Sequence, residues 1–454
     1  MRIATWTSTT EHERWRDLGP VEPGPVTGIP DVFVRLDDER QTIEGFGATF
    51  NELGWTSLAH LTAEQRAEIF RELYAPGVGA GFTIGRMPIA ANDFARDFYS
   101  YAPVADDFAL EHFTIENDRE TLIPYIEAAR EQQPDLTLWA SPWCPPDWMK
   151  TNGHYASAQP WINGVENGLR ADQVQAEGTD SFIQEEKYLE TYAEYFARFV
   201  DAYAALGIDI SMVMPQNEFN SAQPYPSCTW TPQGLVAFLK HLAPKMAARD
   251  VEVFLGTVER PNLDLVTDVL ADPEVAAALA GVGVQWHGRS IVPFLTKDHP
   301  ELRVFQTEQE CGDGRNDWRY ARHAWRLLRD FLNDGVTAYQ YWNLSLERGG
   351  VSRWGWSQNS LVVVDPETAS FEYTHEYHVL KHVSHFVRPG ARLVPTLSYA
   401  GYENQVAFRN PDGSLVVVMQ NDTSRQMPVS VLVGDQVVTP TLPADSISTF
   451  VIEV

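Results

Sequence analysis

Eight short apolar stretches, rich in β-branched and aromatic residues, recur along the chain and are separated by segments with helical periodicity or by loops. They lie at Glu44–Phe50, Phe82–Ile89, Thr137–Trp143, Ile210–Glu218, Val251–Val258, Gly281–His287, Arg303–Glu308 and Thr337–Leu344. Few polar residues interrupt them, as expected of parallel strands that are buried on both faces. Eight such strands alternating with helices predict an α/β fold, the (β/α)8 TIM barrel.

Three of the intervening segments have clear helical patterns. Thr62, with Gln65 three residues later, opens one of them as a capping box would. Lys187–Leu206 and Trp318–Asn333 carry apolar side chains at helical spacing, which indicates helices packed on a core. The main alternative is a doubly wound open sheet. We favour the barrel because no GxGxxG motif, the glycine pattern of dinucleotide-binding folds, follows the first strand. The pair Gly45 and Gly47 alone is weak evidence for such a fold.

The pattern changes after Gly390, where short alternating strands replace the long helices. The strands are predicted at Gln405–Arg409, Ser414–Gln420 and Val429–Leu432, with a hairpin turn at Asn410–Gly413. They predict an all-β sandwich, and we expect the strand-like Val32–Asp37 to pair with it. The predicted organisation is an N-terminal segment at 1–40 with a strand joining the sandwich, a catalytic barrel at 41–388, and the C-terminal sandwich at 389–454.

Carboxylates end two of the predicted barrel strands. Glu218 ends the fourth strand and Glu308 ends the seventh, and in barrel enzymes the active site lies at these carboxyl ends. Glycosidases use two carboxyl groups, which are about 5–5.5 Å apart in retaining enzymes. From alternation alone, Glu310 is an equal candidate, since it would share a strand face with Glu308.

The other strand ends supply aromatic and hydrogen-bonding side chains. These candidates are Arg86, Asp93, Trp143, His287 and Trp342. Aromatic residues make up 12% of the chain and include 14 Trp, and such rings offer flat apolar surfaces with a polar handle. A ring of these groups around two carboxylates indicates sugar recognition.

The net charge and the cysteine content argue against several classes of partner and cofactor. The formal charge of −28 argues against a nucleic-acid or membrane partner. The three cysteines lack metal-ligand spacing, and the chemistry requires neither a metal nor an organic cofactor. No signal-peptide pattern is visible, and the longest apolar run, Val275–Val284, is too short to span a bilayer. We therefore expect a cytoplasmic protein; its oligomeric state is left open.

Several motifs occur in an order typical of one enzyme family. They are Gln41–Phe50, Arg86–Pro88, Ala91–Phe94, Ser141–Gly153, Gln216–Glu218, Thr307–Glu308, Trp342–Leu344 and Asn410–Val418. In this series the chain resembles glycoside hydrolase family 30, which contains lysosomal glucosylceramidase and related β-glycanases. The resemblance extends from about residue 32 to the C-terminus, and it implies a barrel joined to a β-sandwich.

The resemblance also implies roles for individual residues. Glu218, preceded by Asn217, matches the family's general acid/base, and Glu308, preceded by Thr307, matches its nucleophile; the Thr-Glu pattern selects Glu308 over Glu310. Residues that match positions lining the family's sugar pocket are Arg86, Asp93, Trp143, Asn217 and Trp342. His287 stands where glucosylceramidase has a Tyr.

Two segments depart from glucosylceramidase, and both border the predicted pocket. One contains Trp354 and Trp356, which could form extra subsites or wall the pocket; the other is the loop from Phe219 to Trp230. We count Trp356 among the substrate-binding candidates. The expected function is a retaining β-glycosidase, exo-acting on a terminal β-D-glucosyl or similar residue. Alternatives are an endo- or exo-β-1,6-glycanase, a β-xylosidase, a β-fucosidase or a non-catalytic carbohydrate-binding protein.

Overall fold

Eight parallel strands close into a barrel in the computed structural model, which describes residues 2–161, 164–399 and 401–453. In chain order the barrel strands, numbered one to eight below, are Gly45–Thr49, Ile84–Pro88, Thr137–Ser141, Met212–Val213, Glu252–Val258, Gly281–Gln285, Arg303–Glu308 and Ala338–Asn343. Strand eight pairs with strand one and closes the ring. The predicted TIM barrel is confirmed, although strand four is only two residues long, because the chain leaves the sheet well before Glu218.

Helices surround the barrel. The α-helices are Glu52–Leu58, Ala63–Tyr74, Leu122–Gln132, Glu186–Ala204, Pro232–Ala247, Asp264–Leu270, Pro273–Ala278, Val292–Asp298, Trp318–Asp334 and His375–Ser384. Short 3-10 turns lie at Glu116–Glu120, Asp147–Met149, Ala171–Gln173 and Trp286–Ile291. The capping box predicted at Thr62 is present, and the two long predicted helices are confirmed within two residues at each end.

The second layer of the molecule is a β-sandwich. Its six-stranded sheet contains, in spatial order, Arg392–Leu393, Gln405–Arg409, Leu415–Asn421, Ser446–Glu453, Arg2–Thr10 and Arg16–Asp17. A four-stranded sheet contains Thr396–Leu397, Val32–Val34, Val431–Val433 and Gln436–Val438. Smaller sheets pair Met427–Pro428 with Thr441–Leu442, and Ser345–Glu347 with Val362–Asp365 and Ser370–Tyr373.

The N-terminus contributes more to the sandwich than the sequence predicted. The strand near Val32 pairs with the C-terminal module as expected. The long strand Arg2–Thr10, which we did not predict, runs antiparallel to Ser446–Glu453. Thr9 of this strand is fully buried against the helix His375–Ser384, with its Oγ1 2.8 Å from His382 Nε2. The N-terminal strand therefore lies at the junction of barrel and sandwich.

One layer of apolar side chains fills the barrel interior beneath the carboxyl ends of the strands. It consists of Ile84, Trp139, Met212, Met214, Phe254, Phe305 and Ala338. Residues two apart on a strand share a face. Arg86 therefore follows Ile84 on the inner face of strand two, and Ser141 follows Trp139 on that of strand three, in each case towards the carboxyl end of the strand. This alternation places polar side chains at the carboxyl ends, over a packed floor.

None of the helices among the described residues combines the length and the apolar content needed to cross a bilayer.

Candidate active site

Arg86 is the central side chain of the barrel mouth. Its guanidinium is fully buried and donates to Glu308 Oε2 at 2.6 Å, Asn217 Oδ1 at 2.7 Å and Ser141 Oγ at 3.1 Å. One planar donor thus joins side chains from strands two, three and seven and from the loop after strand four. The fork geometry of arginine makes this multiple contact possible.

Three indole rings surround the Arg86 guanidinium. Its central carbon lies 4.9 Å from the ring of Trp139, 4.4 Å from that of Trp143 and 5.3 Å from that of Trp342. Cation–π attraction and the ion pair with Glu308 together compensate the loss of water around the charge. Trp143 and Trp342, whose ring centroids are 5.2 Å apart, thereby become fixed walls beside Glu308.

An irregularity in strand seven aims Glu308 at its partners. Gln306 pairs with Val284 and Glu308 pairs with Gln285, so Thr307 is an extra residue on this strand. Bulges of this kind redirect a side chain next to a site. Gln285 Nε2 donates to Glu308 Oε2 at 3.0 Å, in addition to Arg86. Burial raises the pKa of Glu308, and the charge of Arg86 and its hydrogen bond oppose that rise.

Glu218 has a different environment. It adopts a left-handed backbone conformation with φ of 44°, and its backbone N–H donates to Thr257 Oγ1 at 2.9 Å. Its carboxyl is partly buried and has no hydrogen-bond partner among the described residues. Burial raises the pKa of Glu218 well above its usual value, and the nearby carboxylate of Glu308 raises it further. Of the two carboxyls Glu218 and Glu308, Glu218 therefore has the more strongly raised pKa.

Several polar atoms in the pocket are left without protein partners. Asn217 Oδ1 accepts hydrogen bonds from Arg86, Thr257 and Gln285, which leaves its Nδ2 group without a partner among the described residues. Asp93 Oδ1 and Trp342 Nε1 are buried and also unpartnered. Buried polar groups are normally satisfied, and hydroxyl groups of a ligand both donate and accept.

Asp93 lies close to the other carboxylates and is only 5% exposed. Burial raises its pKa well above the usual value, the charge of Glu308 adds to the rise, and the charge of Arg86 opposes it. The structure therefore brings together seven of the predicted residues: Arg86, Asp93, Trp143, Asn217, Glu218, Glu308 and Trp342.

Two predicted residues lie farther out. Strand six ends at Gln285, so His287 falls in the 3-10 turn that follows; it is exposed and its Nδ1 lies 2.9 Å from Glu259 Oε1. Trp356 is half-buried, and its ring packs on Trp161 with centroids 4.7 Å apart. Both side chains belong to the rim of the pocket and neither contacts Arg86, which is at its centre.

Glu310, the alternative to Glu308, points away from the pocket. Its Oε2 lies 2.6 Å from Nε2 of His323 on helix Trp318–Asp334, and this contact lowers the pKa of Glu310. Strand seven has already ended at Glu308, so the two-residue alternation does not extend to Glu310. With Arg326 it lines a separate groove of about 910 Å³ between that helix and the six-stranded sheet.

Four further residues in or beside the pocket were not predicted. Gln285 donates to the Glu308 carboxylate and to Asn217, and Thr257 accepts from the Glu218 backbone N–H and donates to Asn217. Glu259 follows strand five. Burial, and next the charge of Glu218, raise the pKa of Tyr225. Gln285 could have been found, because it is the polar residue that closes an apolar run. Tyr225 follows no strand end, so only the folded loop reveals it.

Comparisons with known proteins agree with this architecture. Residues 43–387 match the glycosyl hydrolase family 30 TIM-barrel domain, and residues 398–450 match the glycosyl hydrolase family 30 beta sandwich domain. A provisionally named glucosylceramidase 1 of Caenorhabditis elegans is 30% identical over 409 residues, which cover 85% of this chain and 74% of the relative. An endo-1,6-beta-D-glucanase of Aspergillus fumigatus, neg1, is 26% identical over 446 residues, covering 91% and 85%.

Solved structures show the same fold. The crystal structure of SrfJ from Salmonella typhimurium superposes with a TM-score of 0.87 over the full length of both chains, at 23% sequence identity. The predicted family, fold and enzyme class are confirmed, and the family implies a carbohydrate substrate. The chain belongs to glycosyl hydrolase family 30 and is a glycoside hydrolase.

Proposed function

We propose that the protein is a retaining β-glycosidase, with Glu308 as nucleophile and Glu218 as general acid/base, acting on a terminal β-D-glucosyl or similar residue. The observation that carries this is the unequal environment of the two carboxyls. Glu308 is bonded by Arg86 and Gln285, whereas Glu218 has no cationic hydrogen-bond partner and a pKa raised well above normal. When the surroundings of two carboxyls give them different pKa values in this way, the one with the higher pKa serves as the acid and the other as the nucleophile.

The proposed reaction has two displacement steps. In the first, a Glu308 oxygen bonds to the anomeric carbon while the glycosidic bond breaks and Glu218 passes its proton to the leaving oxygen. In the second, Glu218 takes a proton from water, whose oxygen attacks the anomeric carbon and releases Glu308. Arg86 favours the ionised form of Glu308, both before the first step and when Glu308 leaves the anomeric carbon in the second.

The unpartnered atoms of the pocket support sugar recognition. Asn217 Nδ2 is available to donate to the 2-hydroxyl next to the reacting carbon. Asp93 Oδ1 can accept from a sugar hydroxyl and Trp342 Nε1 can donate to one. The fixed rings of Trp143 and Trp342 offer an apolar surface for the C–H groups of the ring.

A wall of packed loops supports exo action. Phe98, from the loop after strand two, stacks on Tyr155, from the loop after strand three, with ring centroids 4.8 Å apart. The Tyr155 hydroxyl accepts from Nε1 of the buried Trp354, from the loop after strand eight, at 3.2 Å. Three loops are thus joined on one side of the mouth, which favours a pocket over an open cleft. The glucosylceramidase name of the Caenorhabditis elegans relative favours a glucosyl residue.

The second candidate is an endo-β-1,6-glucanase. The partly exposed Trp161 packs on Trp356 and lies edge-on to Tyr225, with centroids 6.0 Å apart. This aromatic rim could take a further sugar ring beyond the cleaved bond, and the Aspergillus fumigatus relative is named for that activity.

A substrate panel separates these candidates. We expect p-nitrophenyl β-D-glucoside to be hydrolysed faster than the galactoside, xyloside and fucoside, because the proposed substrate ends in a β-D-glucosyl residue. With reduced β-1,6-linked gluco-oligomers, exo action releases glucose alone from the start. Initial products of two or more glucose units, measured by chromatography, would instead establish the endo-acting candidate.

The stereochemistry of the product tests the mechanism separately. Double displacement inverts the anomeric carbon twice, so the first sugar released from a β-glycoside should be the β-anomer. Proton NMR during the first minutes of hydrolysis, before mutarotation, measures this directly. Initial release of the α-anomer would exclude the retaining mechanism and leave the glycosidase assignment intact.

A further inference from the structure

We propose that Glu259 is a positioning residue for the two carboxyls: it fixes His287 and Arg260 beside the loop that carries Glu218, and it adds a third negative charge to this side of the pocket. This inference rests on the proposed roles of Glu218 and Glu308. It assigns a function to a third carboxylate at the end of strand five, a position that contributed nothing to the predicted site.

Glu259 is held in one orientation by two basic side chains. It follows the last residue of strand five and is only 8% exposed. One carboxyl oxygen lies 2.9 Å from His287 Nδ1, and the other accepts a hydrogen bond from Arg260. A buried carboxylate needs such partners. The pairing explains why His287 turns towards strand five and does not reach Glu308.

Arg260 extends this contact to the Glu218 loop. Its Nη2 donates to Glu177 Oε1 at 2.6 Å and to Ser221 Oγ at 3.4 Å. The Ser221 backbone N–H donates to the Glu218 carbonyl oxygen at 2.9 Å. The chain Glu259–Arg260–Ser221 therefore supports the turn in which Glu218 adopts its left-handed conformation.

The charges around the pair give this arrangement an electrostatic effect. Apart from burial, the charges that raise the pKa of Glu218 are those of Glu308, Glu259 and Asp93, and the charge of Arg260 lowers it. Glu259 also raises the pKa of Glu308, against the opposing effect of Arg86.

Three loops supply the other titratable groups near Glu218, Glu259 and Arg260. Tyr225 lies near all four carboxylates, Glu177 faces Arg260, and Glu310 is close enough to His287 for the imidazole to act on its pKa. Removing only the negative charge of Glu259 should therefore lower the pKa values of both Glu218 and Glu308.

The test is the pH profile of Glu259→Gln, a substitution that removes the charge and keeps the shape of the side chain, with one oxygen still able to accept from Arg260. Activity requires Glu308 ionised and Glu218 protonated, so kcat/KM falls on the acid side with Glu308 and on the basic side with Glu218. We expect both limbs to move to lower pH, each by about half a unit to one unit, as expected for loss of one nearby charge. A purely structural role would lower the profile without moving it.

Two further variants keep the test decisive. Glu310→Gln removes a carboxylate close in sequence that is bonded to His323, and it should leave both limbs in place. Arg260→Gln should move the basic limb to higher pH, because Arg260 lowers the pKa of Glu218. Thermal unfolding of each variant confirms that the folded enzyme is being assayed.

Unchanged limbs in Glu259→Gln, or equal shifts in Glu310→Gln, would overturn the inference. Failure of the proposed function is distinguishable, because it would show as retained activity in Glu308→Gln, measured with the same substrate.

Discussion

Glu308→Gln is expected to lower kcat/KM for β-glycosides by about 10⁴-fold or more, because an amide cannot form the covalent glycosyl-enzyme. The variant also removes the charge that balances the buried Arg86 guanidinium, which donates to Glu308 at 2.6 Å. Unfolding should therefore become easier by at most about 3–5 kcal/mol, the cost of breaking a buried ion pair. Steady-state kinetics and thermal unfolding separate the two effects.

The matched control for this variant is Glu310→Gln. Glu310 has the same chemistry two residues along the chain, but its carboxyl is bonded to His323 outside the pocket. Its substitution should change kcat/KM by no more than about twofold, as for most sites away from the chemistry. Substantial turnover of ordinary substrates by Glu308→Gln, with the control also active, would contradict the assignment of the nucleophile.

Glu218→Ala is expected to affect substrates according to their leaving groups. Alkyl glycosides need protonation of the leaving oxygen, so their kcat/KM should fall by about 10²–10⁴-fold, the usual contribution of general acid catalysis. Dinitrophenyl glycosides leave without a proton, so formation of the glycosyl-enzyme should be nearly as fast as in the wild type. The basic limb of the pH profile, which reflects the raised pKa of Glu218, should disappear.

Azide provides the second readout for Glu218→Ala. With the carboxyl removed, a small anion can enter the space it occupied and attack the glycosyl-enzyme without base assistance. We expect azide to restore turnover of the dinitrophenyl substrate and to yield the β-glycosyl azide, identified by NMR. Equal losses for alkyl and dinitrophenyl substrates, or an α-azide product, would show that Glu218 is not the acid/base of a retaining enzyme.

Much of the site follows from strand ends that are visible in the sequence. Arg86, Glu308 and Trp342 belong to strands two, seven and eight, and parallel strands place their carboxyl ends at one mouth. Their proximity in the fold follows from that topology. The bounds of strand seven, Arg303–Glu308, coincide with the predicted ones.

Other parts of the site depend on contacts between distant segments. Gln285 is paired with Glu308 through the register shift at Thr307 in strand seven, and it also reaches Asn217 in the loop after strand four. Glu259 gains its environment from His287 and Arg260, which no spacing rule connects to Glu218. Trp354 contains the same indole as Trp356, yet it is buried against Tyr155 while Trp356 lies at the rim.

The sequence by itself determined the barrel, the sandwich and the two candidate glutamates, Glu218 and Glu308, because hydrophobic periodicity and strand order are local properties of the chain. Only the tertiary structure decided that the pKa of Glu218 is raised more strongly than that of Glu308, since the shifts depend on burial and on charges brought together from several strands. It also decided the place of the polar strand Arg2–Thr10, whose Thr9 is buried beside His382 at a separation of 373 residues. Periodicity carries no information about partners so far along the chain.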